Sequence, residues 1–126
     1  MHESAGFGLS PSIKRLRAEL LTHGFNTART AADRLSKERP AVALSESDLN
    51  VWGYKLLEQK QPAEAVAVLQ LAVDLYPNSW NAYDSLGEIM EATGDRGGAT
   101  RNYSRSLELN PSNKNAASHL SVLRKG

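Results

Sequence analysis

A recurrence of 34 residues in the second half of this chain limits what it can fold into more than any other feature. One passage reads Leu49-x2-Trp52-Gly53-x2-Leu56, then Ala65-x3-Leu69, Ala72 and Pro77. Another reads Tyr83-x2-Leu86-Gly87-x2-Met90, then Ala99-x3-Tyr103, Ser106 and Pro111. The pairs Gly53 and Gly87, Ala65 and Ala99, Leu69 and Tyr103, and Pro77 and Pro111 are each 34 residues apart, with no insertion. A fixed period of this length marks a stack of like units, each of which buries its apolar face only against its neighbours.

Within a unit the spacing predicts two helices. Leu49, Trp52, Gly53, Leu56 and Leu57 fall at i, i+3, i+4, i+7 and i+8, the stripe of an amphipathic helix, and Ala65, Val68, Leu69, Ala72 and Val73 form a second stripe. Ser45 and Asp48 have capping-box spacing at the start of the first helix. Pro62 suits the first turn of the second. In the next unit Gly94-Asp95 makes the turn and Asp95 caps the second helix. Pro77 and Pro111 stop the second helices. Glycine inside a helix costs about 1 kcal/mol relative to alanine, so Gly53 and Gly87 need a packing reason. The expectation is that two helices approach closely there, with Ala65 and Ala99 facing the glycines.

These landmarks resemble the tetratricopeptide repeat, a helix–turn–helix unit of 34 residues. The wording Leu49-Asn50-Val51-Trp52-Gly53-Tyr54 and Tyr83-Asp84-Ser85-Leu86-Gly87-Glu88 is also similar, over roughly residues 45–125, to repeats appended to bacterial serine hydrolases and esterases. The first resemblance implies an all-α, right-handed superhelical solenoid of antiparallel helix pairs, with the first helix of each pair lining a concave side that holds polypeptides. The second implies a catalytic domain as context, which this stretch of sequence does not contain.

Upstream lies a degenerate unit at 10–39. Ser10-Pro11 opens a helix to about Thr22, His23-Gly24-Phe25 turns, and a second helix starts at Asn26 or Thr27 and runs to about Lys37. The connection from Arg39 to Ser45 is longer than in the clean units at 46–79 and 80–113. Ser112 or Asn113 opens a capping helix over 113–125 carrying Ala116, Ala117, Leu120 and Leu123. About seven helices result, in one domain over 10–126. Residues 1–9, with two glycines and no periodicity, are expected to form a flexible leader.

Composition narrows the function. Fifteen basic and fourteen acidic residues leave a net charge of +1, which argues against a nucleic-acid partner; Lys14-Arg15-Leu16-Arg17 reads as a solvated helix face. The chain has no cysteine, so thiolate zinc sites and cysteine nucleophiles are excluded. No apolar run approaches the roughly 18 residues of a membrane span, and the first residues lack a signal-peptide pattern. The expectation is a cytoplasmic protein with no membrane partner.

No catalytic constellation is legible. His2, His23 and His119 have no metal-ligand spacing, no serine sits in G-x-S-x-G, and Gly94-Asp95-Arg96-Gly97-Gly98 lacks the ending of a phosphate-binding loop. That glycine-rich stretch reads as a flexible turn with a frayed helix start. We expect a non-enzyme with no cofactor and no metal. The functional expectation is a protein- or peptide-binding adaptor. The alternatives are a self-association module forming a homo-oligomer, or a hydrolase appendage acting without its catalytic domain.

The candidate binding residues are those turned away from the packed stripes on the first helices: Asn50, Tyr54, Leu57 and Glu58 in one unit, Asn81, Asp84, Glu88 and Glu91 in the next. Asparagine offers donors and acceptors to a peptide backbone, and tyrosine adds apolar contact with a polar tip. One subtype of the resembled family grips acidic chain termini with concave lysines and an arginine. Those positions are not filled here, and the three carboxylates stand in much of that surface. The groove is therefore expected to prefer neutral or basic segments. Trp52 is expected between the helices, and Trp80 either packed on the preceding connection or exposed.

Overall fold

The computed structural model describes residues 8–125. Among them there are seven α-helices and no strand: α1 (Pro11–His23), α2 (Ala28–Ser36), α3 (Glu46–Glu58), α4 (Pro62–Leu75), α5 (Trp80–Ala92), α6 (Arg96–Leu109) and α7 (Lys114–Lys125). A single 3₁₀ turn, Phe25–Thr27, leads into α2. The helices stack as consecutive pairs, α1 with α2, α3 with α4 and α5 with α6, and α7 lies on α6.

Each start has a chemical cause. The Ser10, Ser45 and Ser79 hydroxyls accept from the backbone N–H groups of Ile13, Asp48 and Ala82 at 3.3, 3.1 and 3.1 Å. Asp95 accepts from Gly98 N–H at 2.8 Å, and Asn113 Oδ1 from Ala116 N–H at 3.3 Å. Each satisfies one of the donors that a helix N-terminus leaves unpaired. Pro11 and Pro62 occupy first turns, where the missing N–H costs nothing. Three helices end in a left-handed residue: Gly24 (φ 97°) after α1, Lys60 (φ 63°) after α3 and Gly94 (φ 92°) after α5. Lys60 and Gly94 occupy the same place in the repeat.

The helices of a pair cross at the glycines. A Cβ on Gly53 would overlap Leu69 Cδ2, and one on Gly87 would lie 3.0–3.2 Å from three atoms of the Tyr103 ring. The side chains pressed on the glycines are thus Leu69 and Tyr103, one turn beyond Ala65 and Ala99. The alanines still count, because both are fully buried and keep the same helices close. Gly98 has its own reason: a Cβ there would meet Asp95 Oδ2 at 2.5 Å and Met90 Sδ at 2.6 Å. The start of α6 is therefore capped and packed rather than frayed. A side chain at Gly97 would meet only ordinary contacts, and nothing in the structure requires glycine there.

Two apolar clusters run through the stack. The larger extends from Leu9 to Ile89 and contains Trp52, which is 1% exposed. Phe25 packs its ring on Trp52 at 5.7 Å and ties the first pair to the second. The smaller holds Ala99, Tyr103, Ala116, Leu120 and Leu123, and Met90 touches both. Leu9, inside the stretch expected to be loose, is buried in the larger cluster, whereas residues 1–7 lie outside the described residues. Trp80 stays 40% exposed. Its carbonyl accepts from the buried Ser106 hydroxyl, which in turn accepts from Asn113 Nδ2, each at 2.8 Å. This relay satisfies the buried polar groups where α7 leaves α6.

This packing has measurable consequences for stability. Gly53→Ala lowers stability by about 1 kcal/mol or more, because overpacking beside the fully buried Leu69 outweighs the helix-propensity gain of about 1 kcal/mol. Gly87→Ala costs less. Lys60→Gly raises stability by about 1 kcal/mol by relieving the left-handed backbone. Urea midpoints of the three variants check these expectations.

Candidate functional site

The helix surface not used in pair packing comes round every three to four residues, so the outward positions of α3, α5 and α7 form rows across the stack. Steps of 34 align Ser47 with Asn81 and Asn115, Asn50 with Asp84 and Ser118, Tyr54 with Glu88 and Val122, and Leu57 with Glu91 and Lys125. Hydrogen bonds show that neighbouring rows touch. The Tyr54 hydroxyl of α3 donates to Glu88 Oε1 of α5. Asn115 Nδ2 of α7 lies 3.1 and 3.0 Å from the two Asp84 oxygens and 2.9 Å from Glu88 Oε2. A chain of side chains therefore crosses all three helices.

The chemistry at its centre is unbalanced. One amide nitrogen carries two hydrogens, yet three carboxylate oxygens of two residues crowd it. Burial raises the Asp84 pKa above the usual carboxylate value, against the lowering bond from Asn115, and Glu88 adds repulsion. Asn50 Oδ1, in the Asp84 row on α3, is buried with no hydrogen-bond partner among the described residues. Burial, and then the bond to Glu88, push the Tyr54 hydroxyl far above its ordinary value, so it remains a donor.

Glu91 does not join this centre. The Tyr103 hydroxyl donates to Glu91 Oε1 at 2.9 Å, His119 Nδ1 lies 2.7 Å from the same oxygen, and the two rings stack at 5.0 Å. This carboxylate fastens α5 to α6 and α7. As in the Tyr54 case, burial is the main cause of an upward shift at the Tyr103 phenol, with the Glu91 bond second. Leu57 and Tyr54 are half-buried against the core, while Asn81 and Glu58 are exposed at opposite ends of the face. Asp84 and Glu88 thus come together with Tyr54, whereas Glu91, Asn81 and Glu58 stand apart from them. Asn115, which joins the two carboxylates, is absent from the sequence expectation. Carrying the period one step beyond Asn81 points to it.

No family model matches the chain, and no curated protein does. Solved structures do. The second TPR domain of human RPAP3 in complex with the HSP70 peptide SGPTIEEVD shares 19% identity over 91% of this chain and 93% of that one, with a TM-score of 0.62. The first TPR of Spaghetti (RPAP3), bound to the HSP90 peptide SRMEEVD, shares 20% over 95% and 97%, with a TM-score of 0.63. MamA shares 21% over 93% of this chain and 64% of that one, with a TM-score of 0.61. The fold is that of a tetratricopeptide-repeat solenoid.

Asp84 supplies a pH test. Its folded-state pKa is raised, so its charge opposes folding at neutral pH, and that penalty is relieved as pH falls through the folded value. Asp84→Asn is expected to melt above the wild type at pH 7, with the gap closing toward about pH 4. Circular-dichroism melting at both pH values measures it.

Proposed function

We propose that this chain is a non-catalytic adaptor that holds a segment of another polypeptide on the face shared by α3, α5 and α7, and that it favours neutral or basic segments. The observation that carries this reading is the acceptor surplus at Asp84 and Glu88. Two carboxylates crowd a single amide on an accessible face, at a cost to stability that a cationic partner would offset. Charges that oppose folding are commonly kept where binding uses them.

The wider charge pattern supports the same preference. Between Glu46 and Leu109 there are ten acidic and five basic residues. The peptides held by the two RPAP3 domains end in Glu-Glu-Val-Asp. Such a terminus would meet Asp84 and Glu88 here with like charge, so we place the partner in a different charge class. No helix among the described residues is long and apolar enough to cross a membrane. The likeness to hydrolase-appended repeats supplies a context for such an adaptor, beside an enzyme rather than as one.

Selection from a random peptide display library tests the proposal. Enriched peptides should be neutral or basic, and Asp84→Lys with Glu88→Lys should weaken them about tenfold or more. Enrichment of acidic peptides, or unchanged affinity after the charge reversal, would contradict it.

A further inference from the structure

The rows across α3, α5 and α7 differ in chemistry in a definite order. On α3 the row offers Tyr54 and, one turn on, Leu57. On α5 it offers Asp84 and Glu88. On α7 the same register offers Val122, which is 64% exposed. The outward neighbours of Val122 are polar: Ser118, Ser121 and Lys125. A terminal helix needs a polar outer face, so a valine exposed at the groove register is not explained by capping. The order across the face is apolar, anionic, apolar.

Neighbouring packed helices lie about 8–10 Å apart. A polyproline II segment has three residues per turn and a rise of about 3.1 Å per residue, so every third side chain points the same way about 9 Å further on. A β-strand cannot match this spacing, because its side chains return to one face every second residue, about 7 Å on. Polyproline II also makes no internal hydrogen bonds, which leaves its backbone groups to the amide side chains of Asn81 and Asn115 at the edge of the face.

We propose that the segment held on this face is a polyproline II stretch of the pattern apolar-x2-Lys/Arg-x2-apolar. Its cation sits over Asp84 and Glu88 on α5, one apolar side chain meets Tyr54 and Leu57 on α3, and the other meets Val122 on α7. This rests on the peptide-holding reading above and gives it a register and a ligand chemistry. Charge complementarity fixes the middle position, and the exposed valine fixes one flank.

The test uses three capped synthetic peptides and the full chain, with binding read by heteronuclear NMR titration. Leu-Pro-Pro-Lys-Pro-Pro-Leu has the proposed register. Leu-Pro-Lys-Pro-Leu places the same groups at strand spacing, and Leu-Pro-Pro-Glu-Pro-Pro-Leu reverses the charge. The first should bind about tenfold tighter than either of the others. Val122→Ser should erase its advantage over the strand-spaced peptide and leave the preference for lysine over glutamate. Asp84→Asn with Glu88→Gln should do the opposite. Equal affinity for the two lysine peptides would overturn the register while leaving the peptide-holding reading in place, as would library-selected peptides that bind when none of these three does. Failure of both the library and the three peptides would overturn both.

Discussion

The structure depends on how closely two α-helices can approach at one residue. Gly53 lies against Leu69, and Gly87 against Tyr103, with no room for a methyl group at the first and little at the second. These contacts set the distance within a pair. That distance determines how much of the apolar stripes is buried, and therefore which residues are left facing outward. The face across α3, α5 and α7 is a consequence of the crossing: it consists of what remains after packing has claimed the other sides of each helix.

Much of this was legible in the chain of letters because a repeat states the same constraint twice. The glycines, the prolines and the caps at Ser45 and Asp95 kept one interval, and a constraint stated twice is hard to misread. The single-copy features were harder. Ala65 and Ala99 share the register of the glycines, but a helical side chain leans over the turn before it, so Leu69 and Tyr103 reach the gap instead. Gly98 has no equivalent in the preceding unit, where Glu64 stands, and only the position of Met90 and Asp95 explains it.

The candidate site divides in the same way. Which residues lie on the outward face follows from helical periodicity, and Asn50, Tyr54, Asp84 and Glu88 were placed by it. Which partners they choose does not. Glu91 shares the stripe of Asp84 and Glu88 but turns to Tyr103 and His119, because a half-buried carboxylate takes the nearest donors. Asn115 belongs to a helix whose sequence reads as a cap, and its link to α5 emerges only when the period is carried onto α7. A feature that closes the stack is at once part of the face.

That face also separates this chain from its structural neighbours in chemistry while it shares their backbone. The same stacked pairs carry acidic peptides in the RPAP3 domains, whereas here the equivalent kind of surface has carboxylates at its centre. A repeat scaffold permits this because pair packing and outward chemistry use different positions of the same helices.

The central claim is the close crossing at the two glycines, and a nuclear Overhauser spectrum of the folded chain tests it most directly. Strong cross-peaks are predicted from the Gly53 α-protons to the Leu69 methyls and from the Gly87 α-protons to the Tyr103 ring. A helical protein in which both sets are missing would have its helices packed elsewhere, and the outward face described here would not exist.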